Sequence, residues 1–167
     1  MLALDRRLKT YIRTVDSEHC WKYYMASKPM GLNSSTLGLF GFGKIGRAVA
    51  RRARGFGMRV LAVDPHADEQ QASELGATIT DAKTLLRESD VISNHMNLTA
   101  ERTGISSMTQ ALQLWRSIRF FSMFREAAAS MRQALVRALD NGLIRAAGLD
   151  VLEAEKTGFG KLCAHRS

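Results

Sequence analysis

The sequence predicts an α/β fold of the doubly wound kind, a parallel sheet with helices on both faces. Three observations predict it. Short apolar runs recur along the chain, each followed by a stretch with helical spacing. A glycine-rich hexapeptide joins one such run to the helix after it, and an Asp closes the next run eighteen residues beyond the last of those glycines. Strands that alternate with helices are the pattern of a parallel sheet with crossover connections.

Each element has its own signal. Residues 2–24 read as a helix, with Leu2, Leu4, Leu8, Tyr11 and Ile12 at roughly helical spacing, and 27–35 (SKPMGLNSS) as a connector. TLGLFGF (36–42) is a short apolar run suited to a strand buried on both faces. A helix is expected from Lys44 to about Gly55, with Ile45, Ala48, Val49 and Ala53 facing inward. MRVLAVD (58–64) reads as a second strand, 67–76 as a helix, ATI (77–79) as a brief strand, 81–89 as a helix and DVISNHM (90–96) as a strand. QALVRALDNG (133–142) is a helix closed by Asn-Gly, and IRAAGLDVL (144–152) a last strand. Residues 105–133 break the rhythm. Trp115, Phe120, Phe121 and Phe124 are mixed there with Arg116, Arg119 and Arg125 in no clean period, and no Gly or Pro marks a turn.

Composition narrows the function. The 167 residues, 46% of them hydrophobic and 24% charged, suffice for one core. No apolar run of about eighteen residues occurs to span a membrane, and Asp5, Arg6 and Arg7 stand where a signal peptide needs its apolar region. Cys20 and Cys163 make neither a disulfide framework nor a metal spacing. A cytoplasmic protein with free thiols and no bound metal is expected. The net charge of +8 suggests phosphate-bearing partners, but residues 1–30 and 105–133 together hold +6 of it. The aromatic residues near these bases follow no regular interleaving of the kind a stacking nucleic-acid surface requires. Arg47, Arg51, Arg52 and Arg54 on the first long helix read as a solvated face, with a binding patch as the other reading.

The sharpest motif is Gly41-Phe42-Gly43-Lys44-Ile45-Gly46, which leaves a strand and opens a helix. In that context the first Gly allows a tight turn, the second lets the backbone approach a pyrophosphate, and the third lets the helix lie close on the sheet. The phosphates would rest on the helix N-terminus, where free N–H groups and the dipole favour negative charge. Asp64 would accept hydrogen bonds from the adenine-ribose hydroxyls and repel a 2′-phosphate, which favours NAD over NADP. The motif makes the fold Rossmann-type.

TLGLFGFGKIGRAVARRARGFGMRVLAVDP resembles the NAD-binding domain of the D-isomer-specific 2-hydroxyacid dehydrogenases, a family that includes phosphoglycerate dehydrogenases, glyoxylate reductases and the C-terminal-binding corepressors. LLRESDVISNHMNLTAE resembles the family's next signature, with Asn97 where Pro is usual, and ALVRALDNGLIRAAGLDVLEAE its last, with Lys156 where Pro usually follows. The resemblance covers residues 1–104 and 134–155. It implies cofactor contacts at Gly41, Gly43, Lys44, Ile45, Gly46, Asp64, Met96 and Asp150. It also implies a catalytic set of an Arg that binds the substrate carboxylate, a His that moves the hydroxyl proton, and a Glu paired with that His. Glu155 falls in the Glu motif; its other reading is one acid on a solvated turn. His165 reads as tail, and no Pro-His motif follows Glu155.

On this resemblance, residues 1–35 are a linking helix and connector from a substrate domain that is otherwise lost. Residues 36–155 form an incomplete Rossmann domain, aberrant over 105–133, and 156–167 an unrelated tail. The family Arg is expected 24 residues before Asp150, where the chain has Glu126 beside Arg125. Read one base earlier, codons for residues 124–133 can spell Pro-Arg-Gly-Gly-Arg-Val-Asp-Glu-Thr, the family's motif around that Arg. Residues 105–133 are therefore expected to be translated out of register between two compensating shifts, with the fifth strand lost and Arg125 near the catalytic position but out of frame. Arginines among aromatics there would cost several kcal/mol if buried unpaired, leaving a marginal fold with open strand edges.

The function expected is an NAD-binding fragment of an oxidoreductase that interconverts 2-keto acids and D-2-hydroxy acids by hydride transfer, inactive alone. The alternatives are a non-catalytic NAD-binding module that dimerises, as in the corepressor branch, and a basic nucleic-acid binder. Partners implied are the dinucleotide, a small 2-keto or 2-hydroxy acid, and a second copy of the chain.

Overall fold

The computed structural model of the chain describes residues 2–19, 31–96, 120–123 and 129–149. Two short helices, α1 (Leu2–Asp5) and α2 (Leu8–Glu18), precede the sheet. The single helix expected over 2–24 is broken at Arg7, which takes a left-handed conformation (φ 48°), and α2 ends at His19 in the same conformation. Strand β1 (Thr36–Phe40) is followed by α3 (Lys44–Gly55), β2 (Arg59–Val63), α4 (Glu69–Glu74), β3 (Ala77–Ile79), α5 (Ala82–Glu88) and β4 (Val91–Asn94). After these come β5 (Phe120–Met123), α6 (Ala129–Asp140) and β6 (Ala146–Leu149).

The six strands form one sheet in the order β3-β2-β1-β4-β5-β6, and every pairing is parallel. That is the strand order of a dinucleotide-binding Rossmann sheet. All five residues of β1 are buried, as a central strand covered on both faces requires. Leu37 and Leu39 join Ala50 and Ala53 of α3 in one cluster with Val60 and Ala62 of β2. Gly38 points the other way, where a Cβ would strike Leu85 of α5 and Ser89, the residue that caps its end. Helices α3 and α5 thus sit on opposite faces of β1, and Gly38 is what lets α5 approach.

Local chemistry sets the element ends. Asp68 and Asp81 cap α4 and α5, accepting from the backbone N–H groups of Gln71 and of Lys83 and Thr84. Hydrogen bonds to Asp81, led by the Thr84 hydroxyl, hold its carboxyl below the usual carboxylate value. Gly142 (φ 67°) closes α6: its N–H donates to Leu139 O, and the Leu143 N–H donates to Ala138 O, the paired bonds of a Schellman ending. The Asn-Gly stop read in the sequence is therefore a helix terminator.

Two further expectations are corrected. The fifth strand is not lost: Phe120–Met123 lies between β4 and β6 with four-residue register on each side. Ladder hydrogen bonds are made by backbone, and Phe-Phe-Ser-Met is a short, largely apolar run of strand type whatever its reading frame. The sheet is accordingly continuous across the position expected to be missing, and β4 has no open edge. Ile45 does not face inward; it is 62% exposed. The buried positions of α3 are Gly46, Ala50 and Ala53, small residues that let the helix lie against the sheet.

Candidate cofactor site

The chain runs from β1 outward through β2 to β3, then returns to β4 on the other side of β1. The crevice beyond the carboxyl ends of β1 and β4 is the point where the winding reverses, and such points bind ligands in open α/β sheets. The glycine hexapeptide lies there. Gly41 has φ 93°, which L side chains avoid, and its N–H donates to Val63 O at 2.9 Å. A Cβ on Gly41 would press on His95 and Met96 at 3.3 Å, so this turn also seats the end of β4.

Gly43 and Gly46 differ in kind. Gly43 is the N-cap of α3, in extended conformation and with no side-chain cap. A Cβ there would meet nothing within 4 Å. Among the described residues no atom explains the glycine, whereas an anion resting on the uncapped first turn of α3 would, because it needs close approach to the backbone. Gly46 is buried, and a Cβ there would run into the Gly41 carbonyl oxygen. Its role is packing between helix and turn.

Asp64 follows β2 and is half-buried. Its Oδ2 accepts from the Phe42 N–H at 2.7 Å and its Oδ1 from the His66 N–H at 2.9 Å. A carboxylate has about four acceptor sites, so each oxygen keeps capacity for a ribose hydroxyl. Across the crevice, Asn94 Oδ1 accepts from the Met96 N–H at 3.1 Å, and Ser93 Oγ and His95 Nε2 are hydrogen-bonded at 3.1 Å. Burial lowers the His95 pKa below the ordinary histidine value, so a neutral ring flanks the crevice. Exposed Lys44 and Ile45 complete the mouth.

The residues thus brought together are Gly41, Gly43, Lys44, Ile45, Gly46, Asp64 and Met96. Asp150, Glu155 and Arg125 lie outside the described residues. Uncapped helix start, open glycine and strand-end carboxylate fit a dinucleotide: a cradle for its pyrophosphate and an acceptor for its ribose. Sequence reasoning missed the backbone bonds made by Asp64 and Asn94, which no motif announces. It also left open the groove of about 480 Å³ between α3 and α4, with Lys44, Arg47 and Arg51 on one wall and Gln71 and Glu74 on the other.

Residues 1–166 match the family model described as D-isomer specific 2-hydroxyacid dehydrogenase, NAD binding domain. The chain belongs to this family. Its NAD-binding domain is 40% identical over 160 residues to the glyoxylate reductase of Thermococcus litoralis, covering 93% of this chain and 48% of that protein. It is 37% identical over 160 residues to the D-lactate dehydrogenase of Escherichia coli, covering 95% and 47%. The solved NAD-complexed form of a D-isomer specific 2-hydroxyacid dehydrogenase from Lactobacillus delbrueckii ssp. bulgaricus superposes with a TM-score of 0.75 at 29% identity, covering 95% of this chain and 49% of that one. The chain spans about half the length of these relatives. NAD is the cofactor of the domain. Among the described residues, no helix is long and apolar enough to cross a membrane.

Proposed function

We propose that the chain is the dinucleotide half of an oxidoreductase that interconverts 2-keto acids and D-2-hydroxy acids. The observation that carries this reading is Gly43, a glycine with open space above it at an uncapped helix start, beside the strand-end carboxylate of Asp64. Bound NAD supplies or accepts the hydride. Gly41 and Gly46 shape the turn, Gly43 and the first turn of α3 hold the pyrophosphate, and Asp64 accepts the adenosine-ribose hydroxyls. Lys44, Ile45 and Met96 flank the cofactor, Asp150 stands by its nicotinamide end, and Glu155 raises the basicity of a catalytic His. Arg125 remains out of frame in this reading, and the in-frame DNA of codons 120–133 tests it: bases incompatible with Arg-Gly-Gly would sink the shift.

Titration by NADH fluorescence tests the cofactor assignment. Saturable binding with NADPH markedly weaker supports it; a folded protein that binds neither overturns it. NADH oxidation on adding glyoxylate, hydroxypyruvate or pyruvate, with the D-hydroxy acid as product, tests the substrate class. These 167 residues by themselves are expected to bind cofactor without useful turnover. A cytoplasmic location and self-association belong to the same reading. The exposed row Leu8, Ile12 and Val15 on α2 supports the latter, and sedimentation velocity reads it.

A further inference from the structure

We infer that Asp64 is a positioning residue for the phosphate loop as well as an acceptor for the ribose, with the loop role carried by Oδ2. The two residues that open the loop are tied to the end of β2 by consecutive hydrogen bonds, Gly41 N–H to Val63 O at 2.9 Å and Phe42 N–H to Asp64 Oδ2 at 2.7 Å. The first is backbone to backbone and does not depend on the side chain at 64. The second depends on the side chain at 64. Phe42 is buried, only 4% exposed, so its N–H has no ready supply of water if that acceptor is removed. Phe42 also sits between the turn glycine Gly41 and the open glycine Gly43, so its peptide orientation helps set where the α3 N-terminus points. Oδ1 is tied separately to the loop after β2 through the His66 N–H. One carboxylate therefore pins the phosphate loop to the segment that follows β2, and its charge is not what the loop uses: an acceptor oxygen is.

A specificity consequence follows, and it rests on the dinucleotide reading above. Replacing Asp64 by a residue without an acceptor, to admit a 2′-phosphate, weakens the pyrophosphate half of the site at the same time. An Asn keeps one acceptor oxygen, which the buried Phe42 N–H needs more than the exposed His66 N–H does, and loses the charge.

The test compares Asp64→Asn and Asp64→Ala, which both lack the charge, in binding a dinucleotide analogue with neither adenosine-ribose hydroxyl (2′,3′-dideoxyadenosine). With no hydroxyl to accept from, a ribose-only Asp64 predicts equal affinities. The loop role predicts binding roughly tenfold weaker for Asp64→Ala than for Asp64→Asn, the size of one lost buried hydrogen bond. Equal affinities overturn the inference. A second measurement needs no variant and no ligand: a through-hydrogen-bond scalar coupling between the Phe42 amide nitrogen and the Asp64 Cγ in the wild-type chain. Its detection, with slow exchange of the Phe42 amide, is expected; a fast-exchanging, uncoupled amide overturns the loop role. Failure of the wild-type chain to bind NADH would strike the cofactor reading and leave the coupling result standing.

Discussion

Glycines at the site are separable by what a methyl group would meet. At Gly46 it meets the Gly41 carbonyl oxygen, which is backbone and cannot rotate away. Gly46→Ala is therefore expected to lower stability by about 1–3 kcal/mol, as overpacking does, and to weaken NADH binding as well, read by urea unfolding and fluorescence titration. At Gly38 the methyl meets Ser89 and Leu85, on the α5 face and away from the loop. Gly38→Ala should cost a similar amount of stability while the surviving folded protein binds NADH normally. His95 gives a pH dependence. Its folded pKa is depressed by burial, so on acidification the unfolded chain takes up a proton, at about pH 6.5, before the folded one does. Stability is lost as pH falls through that value, and His95→Gln should flatten this part of the profile in urea midpoints measured between about pH 7.5 and 5.5. The three glycines and Asp64 were legible in the sequence because turn, approach and packing each demand a residue type at a fixed offset. The Asp64 bond to Phe42 was not, because it joins positions 22 residues apart through backbone, which leaves no mark on residue identity.

Strands and helices carry their own consequences. Helix α3 holds five bases and no acid, and Lys44, Arg47, Arg51 and Arg54 fall three or four residues apart along it. Arg52 donates to Ala48 O, Arg47 to Gln71 Oε1 and Arg54 to Glu74 O, so three of the five are held by neutral oxygens. Like charges at these spacings oppose the helix by about 0.2–0.5 kcal/mol per pair. Arg51→Glu should raise the thermal midpoint at low ionic strength, with the gain disappearing near 1 M salt, where the screening length is about 3 Å; no gain at low salt would show the stripe to be unstrained. Helix α5 depends on its cap, and Asp81→Ala should cost about 1 kcal/mol. That contribution is full above the ordinary carboxylate pKa and is lost as pH falls through the depressed folded one. Periodicity placed the α/β alternation correctly because buried strands and small-faced helices are written in residue size. It misplaced Ile45, since spacing alone assigns an apolar residue to the core when the helix start opens on a ligand crevice. It also missed the break at Arg7, which no Gly or Pro announces, and β5, whose four residues pair by backbone inside a stretch with no side-chain period.

At the scale of the molecule, a parallel six-stranded sheet brings the end of β1, the end of β2 and the end of β4 to one crevice, although they lie far apart in sequence. The family's NAD-binding domain is this arrangement, and its fold does not require residues 105–133 to keep a regular pattern, because the central strands β2, β1 and β4 and the helices α3 and α5 are complete without them. The cofactor crevice and the irregular stretch can thus be tested independently. On the proposed function, Gly43 is a glycine for the sake of a pyrophosphate and not for the sake of the fold. Its backbone is extended and a Cβ there meets no atom of the described residues within 4 Å, so a larger side chain is expected to disturb the ligand and not the fold. The deciding measurement is NADH titration of Gly43→Val beside its urea unfolding curve. A stability within about 1 kcal/mol of wild type is expected, with an NADH affinity lower by roughly a hundredfold or more, the loss of a close backbone–phosphate approach. A stable Gly43→Val protein that binds NADH as tightly as wild type would contradict it.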